Sequence, residues 1–162
     1  MLVVRLILLV VVVASFVLVL AGQWGLLQGK PPTDIGVTEG KLKAPSRTEN
    51  SVSSQAALYP DHPMRAYAEI APIAYTGDAP AAWDKLKKAV ATLPRTSIVT
   101  DSGTYIYMQC TTLLLRFTDD VEFALDEANH VIHVRSASRL GRKDFGVNRA
   151  RVETIRAAFN VL

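Results

Sequence analysis

The sequence predicts an N-terminal transmembrane helix followed by a two-layer α+β domain, an antiparallel sheet of about four or five strands packed against two helices. Three observations lead there. Residues 6–20 are an unbroken apolar run apart from Ser15, and Arg5 is the only charged residue before Lys30. Farther on, apolar and polar residues alternate in segments joined by short turns, the period of half-buried strands. Two other segments repeat their apolar residues at helical spacing, one before the strands and one at the C-terminus.

The apolar run, extended through Leu27 with Gln23 as its one strongly polar interruption, reaches the roughly 20 residues that cross a bilayer core. Trp24 stands where an interfacial aromatic belongs. A cleaved signal peptide is the competing reading, with Arg5 as its basic region, but the run is long for that purpose. Leu20, Ala21 and Gly22 match the residues that precede a lipoprotein cysteine, yet position 23 is Gln, so lipidation there is excluded. The uncleaved anchor is favoured. Basic residues flank the span on both sides (Arg5 before it, Lys30, Lys41 and Lys43 after it), so charge orients it only weakly. The simplest topology is one pass through the cytoplasmic (inner) membrane, with the domain facing the periplasm or exterior.

The chain thus divides into an anchor (1–27), an extended linker (28–69) and an α+β domain (70–162). The linker holds Pro31, Pro32, Pro45 and three glycines between residues 29 and 40, with no sustained period, and some of it is expected to lie against the domain. Residues 70–75 form a short strand that Pro72 marks as an edge. Asp78 caps a helix with Pro80 in its first turn, striped by Trp83, Leu86, Val90 and Leu93 and stopped by Pro94. Residues 96–100 and 104–111 flank Asp101-Ser102-Gly103 as a hairpin. Residues 119–126 and 131–139 are two more strands, separated by a turn at 127–130. Val152, Ile155, Phe159 and Leu162 stripe a last helix.

The register of the final hairpin follows from parity. Val121, Phe123 and Leu125 must share the core face with Ile132 and Val134, so opposed position numbers sum to an odd value, about 257 for the tightest turn. Phe123 then faces Val134, Glu122 faces Arg135 on the polar side, Asp120 is diagonal to Arg135, and His133 opposes Ala124. Two readings of this charged face stay open: ordinary cross-strand ion pairs, or a polar cleft in which Arg135 and Arg139 hold an anion.

Other chemistry is scarce. Cys110 is the single cysteine, so no internal disulfide forms, and in an apolar strand it reads as a small core residue. Ser136 and Ser138 point with the apolar face and His133 points away, so no Ser–His dyad forms within that strand. No Cys/His/Asp cluster has metal-ligand spacing and no glycine loop is built for phosphate. No catalytic, cofactor-binding or metal-ligating residue is assigned, and no cofactor is expected. The net charge of +3 invites nucleic acid. The basic residues after position 134 follow an acidic stretch, however, and the domain is expected outside the cytoplasm, so nucleic acid is not an expected partner.

Residues 134–152 (VRSASRLGRKDFGVNRARV), with FTDDVEF at 117–123 and NSVSSQ at 50–55, resemble the uncharacterised bacterial family called domain of unknown function fourteen ninety-nine. The resemblance runs from about Ile35 to Phe159 and brings no activity with it. It implies a small protein with a hydrophobic N-terminus. It also groups Asp120, Glu122, Arg135, Ser136, Ser138, Arg139, Asp144, Asn148 and Arg149 as a candidate binding site or ion network. Asp144 or Asn148 can cap the last helix, and Arg139 or Arg149 can reach back to the acidic face. Family members often carry a cysteine pair around residues 44–51. Here the matching positions are near Pro45 and at Ser51, which implies a looser linker.

The expected function is a membrane-anchored envelope protein whose domain is a non-catalytic binding or structural module. Its partners are membrane lipid, through the N-terminal helix, and an anionic ligand or envelope protein. The alternative is a hydrolase-like enzyme using Asp120, Glu122 and Arg135. A concave pocket converging on those side chains favours the enzyme; a filled face favours the module.

Overall fold

The computed structural model describes residues 1–162. Helix α1 (Leu2–Gln23) is 22 residues long with a mean hydropathy of 3.1, apolar and long enough to cross a membrane. The rest forms an antiparallel sheet with helices. In chain order it contains β1 (Ser51–Ser53), a 3-10 turn (Ala56–Leu58), α2 (Arg65–Ala68), β2 (Ile73–Ala74), α3 (Ala79–Ala91), β3 (Thr96–Asp101), β4 (Tyr105–Thr111), β5 (Thr118–Asp126), β6 (Val131–Ser138) and α4 (Val147–Val161).

The sheet has six strands, more than the sequence suggested, in the order β1-β6-β5-β4-β3 with β2 also on β6. The two short strands share the outer edge of β6: β1 pairs residues 135–137 and β2 pairs 131–132. Strands of three and two residues are too short to display a period, which is why β1 is invisible in the sequence. The stretch expected as linker thus supplies β1, the 3-10 turn and α2, and Leu42 within it is 1% exposed.

One sheet face carries the apolar core. Ile106 and Met108 of β4, Val121 and Phe123 of β5, and Ile132 and Val134 of β6 meet Trp83, Leu86 and Val90 of α3 and Val152, Ile155 and Phe159 of α4. Burying a side chain of this size is worth about 1.5–3 kcal/mol. The Asp78 carboxylate accepts the Ala81 N–H at 3.1 Å, capping α3 as expected. Leu162 leaves the α4 stripe and is exposed. At the far edge β3 is largely exposed and bulged between Ile98 and Thr100, an irregularity that discourages pairing with another edge.

The final hairpin has the expected register. Phe123 faces Val134, Glu122 faces Arg135 and Ala124 faces His133. The opposite face of the sheet is covered, not open. Residues from the segment after α1 cross it: the Gly36 N–H donates to Glu122, the Arg135 guanidinium donates to the Ala44 carbonyl, and the Leu42 N–H donates to Gln55. Where the resemblance implied looseness, the Ser51 hydroxyl accepts the Ser46 N–H at 2.8 Å and holds this segment on the sheet.

Candidate functional site

Strand alternation divides the acidic residues of β5 between two faces, and each face solves its charge problem separately. On the face away from α3 and α4, Arg135 Nη1 donates to Glu122 Oε2 at 3.2 Å. Glu122 is 0% exposed and Arg135 4%, so the pair is removed from water. Glu122 Oε1 accepts the Tyr105 hydroxyl at 2.9 Å and the Gly36 N–H at 2.8 Å. Arg135 Nε donates to the Ala44 carbonyl at 3.3 Å. Burial, and then the Glu122 carboxylate, push the Tyr105 hydroxyl far above its ordinary pKa, so it stays a donor.

Beside it, Arg139 grips Asp120 with two nitrogens, Nε to Oδ2 at 2.9 Å and Nη2 to Oδ1 at 2.7 Å. This is the planar fork that suits a carboxylate. Tyr107 donates to Asp120 Oδ1 at 2.6 Å and itself accepts from Gln109 and from Arg139. The hydrogen bond to Asp120 raises the Arg139 pKa further. Asp120 is diagonal to Arg135, as parity requires, but its partner is Arg139.

On the helix face the hub is Asn148, fully buried in the first turn of α4. Its Oδ1 accepts from Ser136 Oγ at 2.6 Å and from Arg151 Nη1 at 2.7 Å, and its Nδ2 donates to Asp144, Asn50 and Ser138 acceptors. Arg151 pairs with Asp119. Asp144 accepts the Gly146 and Asn148 N–H groups at the start of α4, whose N-cap position is Gly146 and not Asp144 or Asn148, and takes the Tyr67 hydroxyl as well. Burial acts to raise the Asp144 pKa, but the Tyr67 hydroxyl and the N–H groups outweigh it and hold the carboxyl below the ordinary range. Burial and Asp144 push Tyr67 up to about 12.

Of the nine candidate residues, Asp120, Glu122, Arg135 and Arg139 therefore meet on one face, and Ser136, Ser138, Asp144 and Asn148 on the other. Arg149 joins neither. Its guanidinium donates to the Tyr67 carbonyl at 2.7 Å instead of reaching the acidic face. Tyr105, Tyr107, Asp119, Arg151 and Tyr67 belong to the networks and were missed. Two were signalled: Asp119 has the parity of Val121 and Phe123, and Arg151 precedes the Val152 stripe by one residue. A charge on each apolar face calls for the other.

The clefts lie beside these networks. The largest, about 670 Å³, is at the β3–β4 and β5–β6 turns and is lined by Tyr105, Asp126 and His133 but not by Asp120, Glu122 or Arg135. A Ser–His–Asp array flanks it: Ser54 Oγ lies 3.2 Å from His133 Nδ1, and His133 Nε2 lies 3.4 Å from Asp126 Oδ2. Ser54 has another task, since its Oγ accepts the Val134 N–H and its own N–H donates to the Val134 carbonyl. It closes the end of β1 and does not line the cleft. A second cleft, about 260 Å³, opens between the β4–β5 loop and the β6–α4 turn, where Asp119, Ser138 and Asp144 reach its floor beside Phe117, Lys143 and Phe145. No group of three or more His, Cys, Asp or Glu side chains is placed to hold a metal ion.

Residues 41–159 match the family described as protein of unknown function DUF1499. The chain belongs to that family. The match spans β1 through nearly all of α4, so the charged side chains of both networks lie within the DUF1499 domain, while Gly36 and α1 precede it. No curated protein and no solved structure matches the chain.

Proposed function

We propose that this DUF1499 protein is a single-span envelope protein whose α1 stays in the cytoplasmic membrane, with the domain facing the periplasm or exterior, and that the domain works by binding and not by catalysis. The observation that supports the non-catalytic part is the closure of the Glu122–Arg135 pair. A general acid or base needs a free edge within reach of a substrate proton. Both Glu122 oxygens are occupied by groups of this chain, and the covering segment shuts the face from solvent. Arg135 likewise commits Nη1 to Glu122 and Nε to the Ala44 carbonyl, and is only 4% exposed. Binding falls to the surface, where an anionic ligand or another envelope protein meets exposed side chains.

The test uses the full chain in its own membranes. It should resist carbonate extraction, and protease added from outside should digest the domain. A soluble species shortened by about 21 to 27 residues would mean cleavage and overturn the anchor. Recovery of the protein from membranes, with lipid and protein analysis of what accompanies it, identifies the ligand class. A hydrolytic activity abolished by Glu122→Gln in a still-folded protein would favour the enzyme.

A further inference from the structure

The end of the domain that meets α1 is unusually apolar. At 1.5 Å per residue α1 is roughly 33 Å long, about the thickness of a bilayer core. Its last turn therefore lies at the outer interface, and whatever touches that turn lies there too. The Gln23 side chain donates to the Leu113 and Leu114 carbonyls, at 3.2 and 2.9 Å. A Cβ at Gly22 would lie 2.5 Å from the Leu115 carbonyl oxygen, so the helix is seated on the β4–β5 loop. A few residues on, Gly29 packs against Arg139 and Leu140.

Around this seat the apolar residues face outward: Leu113 is 63% exposed, Leu114 62% and Phe145 92%, with Leu140 and Trp24 also exposed. Beside the Lys143–Glu49 ion pair, the unpaired charges are basic. Arg95, Arg116 and Arg142 stand at this end and form no ion pair. Arg95, Arg116 and Phe145 are also three of the five non-glycine residues with positive φ in the chain. Backbone held in this region is strained, and here it presents two cations and an aromatic ring.

We propose that the β4–β5 loop and the β6–α4 turn form a second membrane contact that lays this end of the domain on the outer surface of the bilayer α1 spans. It rests on the reading above that α1 stays in that bilayer. Leu113, Leu114 and Phe145 enter the interfacial layer, and Arg95, Arg116 and Arg142 meet lipid phosphates. The 260 Å³ cleft between the two loops, walled by Phe117, Leu140 and Phe145 with Lys143 at its rim, faces the same layer. A single helix leaves a domain free to swing; a second contact fixes its orientation. The opposite end, with the larger cleft at the β3–β4 and β5–β6 turns, is then directed away from the membrane.

Full-length chains with Cys110→Ala and one added cysteine, at Phe16, Leu114, Phe145 or Ser102, test this. Each carries a nitrobenzoxadiazole label and is reconstituted in vesicles of phosphatidylethanolamine and phosphatidylglycerol containing nitroxide-labelled lipid. Circular dichroism verifies the fold of each. The labels at Leu114→Cys and Phe145→Cys should lose fluorescence nearly as fully as the one in α1 at Phe16→Cys, and the label in the β3–β4 turn at Ser102→Cys should keep it. If positions 114 and 145 behave like 102 while 16 is quenched, the docking is wrong and the anchor stands. If position 16 is not quenched, both are wrong.

Discussion

Glu122 and Arg135 face each other across β5 and β6 and are both shut from solvent by the segment that follows α1. Breaking a buried pair by removing one partner leaves an uncompensated charge and costs about 3–5 kcal/mol. Arg135→Ala should therefore lower the unfolding free energy of the detergent-solubilised chain by that amount. Arg135→Lys should also lower it, because Lys keeps the charge but loses the donor to Ala44. An unchanged stability with lost cellular function would turn the pair into a ligand site.

Asn148 joins α4 to β6 and to Asn50 at the head of β1. Asn148→Ala takes the acceptor from the buried Ser136 hydroxyl, at about 1–3 kcal/mol for a buried unsatisfied group, while the Asn50 carbonyl and the Asp144 oxygen each keep a backbone N–H. Asn148→Asp should cost more, since it sets a second carboxylate against Asp144, 2.9 Å from the present amide nitrogen. Equilibrium unfolding of both variants checks the order.

Gly22 permits the close approach of α1 to Leu115. Gly22→Leu should push the helix off its seat without affecting the domain core. Limited proteolysis of the full chain in vesicles should then cut faster within residues 24–35, while the thermal midpoint of the domain stays unchanged. Equal cutting rates would mean that the seat does not hold the domain.

Stability should fall at both pH extremes for reasons located at Asp144 and Tyr67. The lowered Asp144 pKa means that the unfolded chain binds the proton first as pH falls. Its contribution is thus complete above about pH 4 and is lost as pH drops through the folded value. Tyr67, raised to about 12, is the reverse case: the unfolded phenol ionises first, so stability declines between about pH 10 and the folded value. Asp144→Asn should flatten the acid limb of a thermal-midpoint profile, and Tyr67→Phe the alkaline limb.

Cys110 is 6% exposed, and burial pushes its thiol up to about 11. A thiolate so disfavoured should react with maleimide far more slowly than a free thiol until the domain unfolds. Labelling rates in and out of denaturant measure this.

The apolar span, both long helices of the domain, the four longer strands and the Glu122–Arg135 pairing are all legible in the sequence, because each rests on a local period or a parity rule. Period 2 leaves no freedom: once Phe123 and Val134 share the core, Glu122 and Arg135 must share the other face. The choice among basic residues is not local. Both Arg135 and Arg139 lie diagonal to Asp120 by parity, and only the tertiary structure gives Arg139 to Asp120 and sends Arg149 to the Tyr67 carbonyl. The burial of that face is decided by residues 36–46, which have no period and make their contacts largely through backbone N–H and C=O groups. Every residue type but proline carries both groups, so side-chain pattern says nothing of where such a segment lies. Its position, and with it the difference between an open charged cleft and a closed ion pair, exists only once the sheet is there to receive it.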